Sequence, residues 1–154
     1  MIRGGTVDEV DAANGLVRLK IGSGDAGDLR SPWVSYSQTG GALKAHVPPS
    51  IGQQMTIFSP SGSFDQAIAL PMGFSDANPS PSGAGDQNVI TFGSATITLT
   101  GDGLTIAVGG VTLAISGGGV AITGGDVTHN GKDIGDTHKH GGVIPGGAQT
   151  DVPV

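Results

Sequence analysis

Two histidines separated by one residue, His138 and His140, lie near the C-terminal end of a 154-residue chain. In an extended backbone, side chains two apart point the same way, so these imidazoles would share one side and Lys139 would take the other. Neutral imidazole is a common metal ligand. Two such ligands do not close a site, since structural zinc takes four and an octahedral ion takes six. Other chains would have to supply the rest. Three copies meeting on a threefold axis would bring six imidazoles together, and an all-nitrogen octahedral set suits iron, nickel or cobalt better than tetrahedral zinc. The plain alternative is a solvated His-x-His in a glycine-rich tail.

Other reactive residues are sparse. The chain has no cysteine, which excludes a disulfide framework, a thiol nucleophile and a thiolate metal site. A cupin-like metalloenzyme built on His-x-His would want a glutamate shortly after the pair, yet Glu9 is the only glutamate. No carboxylate pair for glycoside hydrolysis can be picked out, so no catalytic residue is assigned and an enzyme is not expected. Gly22-Ser23-Gly24-Asp25-Ala26-Gly27 matches G-x-G-x-x-G after a strand. Residues 28–33 carry no apolar helical stripe, so a barrel loop is expected there and no dinucleotide cradle. His46 has no partner motif and reads as a surface residue. His129 reads as packed or solvated, and Asp133 and Asp136 as groups that could orient an imidazole or simply face water.

The elements that would have to position the histidine pair are all strands. Glycine is 29 of 154 residues, charged residues are 13% and aromatics 4%, which suits a small domain with an appendage better than one large core. The apolar residues are mostly Val, Ile and Leu in short alternating runs with no helical period, so an all-β chain with almost no helix is expected. The formal charge is −6, and none of the seven basic residues lies between Lys44 and Lys132. Nucleic acid is therefore not an expected partner. No charged leader precedes an apolar segment, and no apolar run approaches the roughly 20 residues of a membrane helix. A product made soluble in the cytoplasm is expected.

In the first half, residues 5–10 and 16–21 flank Asn14-Gly15, a pair that supplies the positive φ angles of a hairpin turn. Residues 33–37, 54–59 and 66–70 are further strand candidates bounded by Gly, Pro or Ser. Five short strands suit a small closed barrel of the OB type over residues 1–75. Trp33, Tyr36 and Phe58 fall at strand positions and read as core or subunit-interface residues, because a base-stacking platform would need a basic groove beside it.

Residues 76–93 read as a linker and approach, beginning with a Pro, Ser, Gly, Asn and Asp run. A repeat then fills residues 94–131: Thr96-Ile97-Thr98-Leu99-Thr100, Leu104-Thr105-Ile106-Ala107-Val108, Val111-Thr112-Leu113-Ala114-Ile115, Val120-Ala121-Ile122-Thr123 and Val127-Thr128-His129, separated by glycine pairs and triplets. Each strand puts Ile, Leu or Val on one face and mostly Thr or Ala on the other. A single ribbon would leave its apolar face and two edges in water. Three copies wound about one axis would bury the faces and pair the edges, so a homotrimeric intertwined β-helix is expected, rather than a monomeric solenoid or a sandwich wall. Asn130-Gly131 makes the next turn. Residues 132–154 then form the apex, with the His-x-His motif and a glycine- and proline-containing tail that folds back.

Four stretches together resemble a known family. They are Ile2-Arg3-Gly4-Gly5-Thr6-Val7, Pro48-Pro49-Ser50-Ile51-Gly52-Gln53-Gln54-Met55-Thr56-Ile57-Phe58-Ser59-Pro60-Ser61-Gly62, Gly73-Phe74-Ser75-Asp76-Ala77-Asn78-Pro79, and the 133–143 tip. The chain is similar to the baseplate assembly protein V, or central membrane-piercing spike, family of contractile phage tails and tailocins. That resemblance implies a homotrimer in the baseplate at the tail tip, joined through its barrel to a tail hub protein and driven by sheath contraction through a bacterial outer membrane. It also implies one iron ion per trimer, held by His138 and His140 of three chains. Members of the family carry a segment ahead of the first strand, whereas this chain starts almost on it, as a short or truncated variant would. A receptor-binding fibre tip with a purely structural metal is the alternative, but it would want an exposed binding patch at the apex, and no aromatic follows Lys132.

Overall fold

A computed structural model describes residues 1–25, 27–136, 138–139 and 146. They fall into two compact units, Met1–Ser80 and Pro81–Val154.

The first unit contains β1 (Ile2–Asp11), β2 (Leu16–Gly24), β3 (Gly27–Arg30), β4 (Val34–Tyr36), the two-residue strands β5 (Thr39–Gly40) and β6 (Lys44–Ala45), β7 (Gln54–Phe58), a 3-10 turn at Phe64–Gln66, and β8 (Ile68–Pro71). Strand order is β1-β7-β8-β4-β2-β3, and β1 also pairs with β2. Strands β1, β7, β8, β4 and β2 therefore close a five-stranded barrel, with β3 appended to β2. Strand β4 runs parallel to β8, and the other pairings in this sheet are antiparallel.

Two-residue alternation builds the core. Val17 and Leu19, Val34 and Tyr36, Met55 and Ile57, and Ala67 and Ala69 all point inward, joined by Val7. Register in β1 shifts between Val7 and Glu9. This bulge leaves Asp8 outside the ladder, where it meets Arg30 at 2.8 Å. Closure also needs a bare backbone, because a Cβ on Gly5 would come within 2.5 Å of the Lys20 carbonyl oxygen.

Several expectations are refined. The β1–β2 loop spans four residues between the pair Asp11↔Leu16, and only Gly15 has positive φ, at 70°. Asn14 instead bonds Asp11 through its backbone N–H and its side-chain amide, at 3.1 and 2.8 Å, so an Asx-type contact replaces the two-residue turn. The G-x-G-x-x-G stretch is the end of a β2–β3 hairpin, with Gly24 opposite Gly27, and no helix follows it. Of the three aromatics at strand positions only Tyr36 enters the core, while Trp33 and Phe58 remain 38% and 42% exposed.

The second unit is an antiparallel meander of β9 (Gln87–Phe92), β10 (Ala95–Thr100), β11 (Gly103–Val108), β12 (Val111–Ser116) and β13 (Gly119–Thr123). A separate hairpin of β14 (Thr128–His129) and β15 (Lys132–Asp133) follows. Strand β9 lies in the segment read as linker and approach. Strand pairing puts Ile90, Ile97, Ile106, Leu113 and Ile122 in one cross-strand row. On the same face lie the rows Leu99, Leu104, Ile115, Val120 and Phe92, Ala95, Val108, Val111. The opposite face carries Thr91, Thr96, Ala107, Thr112 and Thr123 in one row and Val89, Thr98, Thr105, Ala114 and Ala121 in the next. All the buried apolar residues among those described belong to the barrel. The Ile-Leu-Val face of the meander stays open, with Ile90 at 67% and Phe92 at 90% exposure.

Candidate metal centre

Asn130 and Gly131 connect β14 to β15 with φ of 51° and 75°, the double positive φ that selects Asn-Gly in a two-residue hairpin. His129 faces Lys132 across this hairpin, and both are exposed. It is thus a solvated residue.

After β15 the chain turns rather than continuing as a strand. Asp133 is half-buried, and its Oδ1 accepts from the Gly135 N–H at 2.7 Å. The Ile134 N–H donates to Val127 at 2.8 Å, tying the turn back to the hairpin base. The Gly135 carbonyl then accepts from the backbone N–H of His138 at 3.3 Å and faces its Nδ1 at 2.5 Å.

A carbonyl can only accept, so in the neutral ring this contact places the proton on Nδ1 and the lone pair on Nε2. The ring is exposed, and its tautomer is set by a backbone partner. The sequence leaves Asp133 and Asp136 open either to orient an imidazole or to face water. Asp133 holds Gly135, whose carbonyl meets the His138 ring, and Asp136 is exposed. Gly135 was missed because a backbone carbonyl leaves no side-chain signal.

His140, the other expected ligand, lies outside the described residues. No group of three or more His, Cys, Asp or Glu residues that could hold a metal forms among the described residues. Of the expected pair, His138 is the one that falls among the described residues.

Residues 3–74, the barrel, match the model of the Type VI secretion system/phage-baseplate injector OB domain. Residues 136–154 match the GpV Apex motif. The two matches lie at opposite ends of the chain and support the baseplate spike family of phage and type VI secretion injection machines. It is similar to the Spike protein of Escherichia phage P2, with 32% identity over 93 residues. That alignment covers 60% of this chain and 42% of the relative.

Proposed function

We propose that the protein is the central spike of a contractile injection machine, in which three copies form one spike at the tail tip. The barrel joins the tail hub, and the apex is driven through a bacterial outer membrane when the sheath contracts. The observation that carries this reading is the open apolar face of the β9–β13 sheet. About a dozen Ile, Leu, Val and Phe side chains lie on it, and each half-exposed one gains roughly 1 kcal/mol on burial. The face then offers on the order of 10 kcal/mol per chain, comparable to the 4–15 kcal/mol that association costs.

The occupants of that face are two further copies of this chain. A face of matched rows is complementary to its own copies, and the histidine pair also needs ligands from outside the chain. In this assembly the Thr and Ala rows face water and keep the shaft soluble. His138 and His140 of three chains would supply six imidazoles to one metal ion, and family resemblance makes iron the expected metal. The metal would cross-link the three apices against fraying under load. The reading involves no catalytic step.

Sedimentation equilibrium together with elemental analysis of protein purified without chelator tests the proposal. A trimer with one transition-metal ion is the expected result. A stable folded monomer would overturn the spike assembly, whereas a metal-free trimer would overturn only the apex assignment.

A further inference from the structure

We propose that a cleft on the barrel, between the Pro32–Trp33 segment and the 3-10 turn, binds a neutral saccharide of one or two rings. The inference rests on barrel geometry alone and is independent of the spike reading. The cleft holds about 330 Å³ and is lined by Trp33, Phe64, Asp65, Pro32 and Ser35, among others.

Its two walls are fixed by the two buried polar side chains among the described residues, Ser31 and Ser59, at 3% and 1% exposure. Ser31 Oγ accepts from the Leu19 N–H at 2.9 Å and donates to the Pro32 carbonyl at 2.8 Å, while its own N–H donates to Leu19 at 2.7 Å. This locks the backbone leading into Trp33. Ser59 Oγ donates to the Ser63 carbonyl at 2.5 Å, and Ser63 Oγ caps the turn by accepting from the Asp65 N–H at 3.3 Å. This presents Phe64 and Asp65. Both serine hydroxyls are thus engaged in holding the segments that flank the cleft in one shape, which lowers the ordering cost of a ligand.

The lining selects the ligand. The Arg18 guanidinium lies 4.8 Å from the centroid of the Trp33 ring and is itself held by Glu9 at 3.0 Å. Arg18 does not line the cleft, whereas Trp33 does, so the guanidinium braces the indole from outside the lining while the side chain keeps its partial exposure. An aromatic face takes the apolar C–H side of a sugar ring, and a carboxylate with a nearby hydroxyl takes its hydroxyl groups. No Lys or Arg lines the cleft, and Asp65 repels anions, which disfavours phosphates, nucleotides and acidic sugars. The position is also apt: in this barrel architecture the loop between the fourth and fifth barrel strands, here the one carrying Phe64 and Asp65, serves oligosaccharide and oligonucleotide recognition.

Trp33 is the only tryptophan in the chain, so its emission reports this cleft. The 154-residue chain would be titrated with N,N′-diacetylchitobiose, cellobiose and maltose. A saturable emission change with at least one of them is expected, weakened about ten-fold by Asp65→Asn through loss of a charged hydrogen bond. Trp33→Ala should abolish the binding heat in calorimetry. No saturable response to any of the three sugars, an undiminished response in Asp65→Asn, or tighter binding of a phosphorylated sugar would overturn the proposal. So would shielding of Trp33 from acrylamide in the assembled protein, which would mean that a neighbouring copy covers the cleft.

Discussion

The Gly135 carbonyl oxygen lies 2.5 Å from Nδ1 of His138, and in the neutral ring this one backbone acceptor places the proton on Nδ1. In the proposed spike Nε2 is the ligating atom. Replacing both His138 and His140 with Ala should reduce bound metal from one ion per trimer to background while the trimer persists. Lys139→Ala should keep the metal. Elemental analysis beside sedimentation separates these outcomes, and a double variant that retains stoichiometric metal would return both histidines to the status of tail residues.

Ile106 sits at the centre of the apolar row, opposite Ile97 and Leu113. Ile106→Asp would bury an unpaired carboxylate in the assembled face at about 3–5 kcal/mol per chain. Trimer should be lost in light scattering while the barrel keeps its fold. Thr91→Asp, on the opposite face and exposed, should change stability by about 0.5 kcal/mol or less.

A fragment of residues 1–80 should fold alone, since the barrel closes on itself and owns its core. Its last residues are tied in, with Asn78 Nδ2 donating to the Gly52 carbonyl at 3.2 Å. Denaturant unfolding should be cooperative, and Ile57→Ala, at a fully buried position, should cost about 2–5 kcal/mol. A fragment without dispersed β-type resonances would show that the barrel needs the assembled shaft.

Acid should weaken the barrel slightly through two exposed carboxylates. Asp28 is lowered from 3.8 chiefly by its hydrogen bond from Lys20 and next by that from Ser23. Asp11 is lowered from the same value chiefly by the Asn14 side chain. A depressed folded-state pKa contributes stability that is complete above the unfolded value and lost as pH falls through the lowered one. The 1–80 fragment should therefore lose this contribution below about pH 3.8, and Asp28→Asn should flatten the dependence in thermal melts. An unchanged slope would count against the Lys20 contact at 2.7 Å.

Much of the fold could be read where alternation is strict. The rows from Ile97 to Ile122 and the Asn130-Gly131 turn follow from two-residue periodicity and positive-φ chemistry. Strand β9 was harder to see because Gln87 and Asn88 continue the polar run before it, and β3 because Gly27 and Asp28 are poor strand formers. The parallel β4–β8 pairing has no local signature, since its register is set by barrel closure. The serines behind the Trp33 cleft carry no motif, and their role depends on burial that only the closed barrel creates. Likewise, the tautomer of His138 is set by a turn, where the sequence suggested a strand.

In the meander every strand pairs with its neighbour in the chain, whereas the barrel must join Ile2 to Phe58. Local pairings form early and at little loop-closure cost, and distant ones form late. A newly made chain would thus display its ribbon of paired hairpins before any partner arrives, with Ile90 and Phe92 in water. Assembly would then be a concentration-dependent step competing with aggregation. Refolding from dilute denaturant should accordingly show a unimolecular phase for the barrel and a slower, protein-concentration-dependent phase for the shaft.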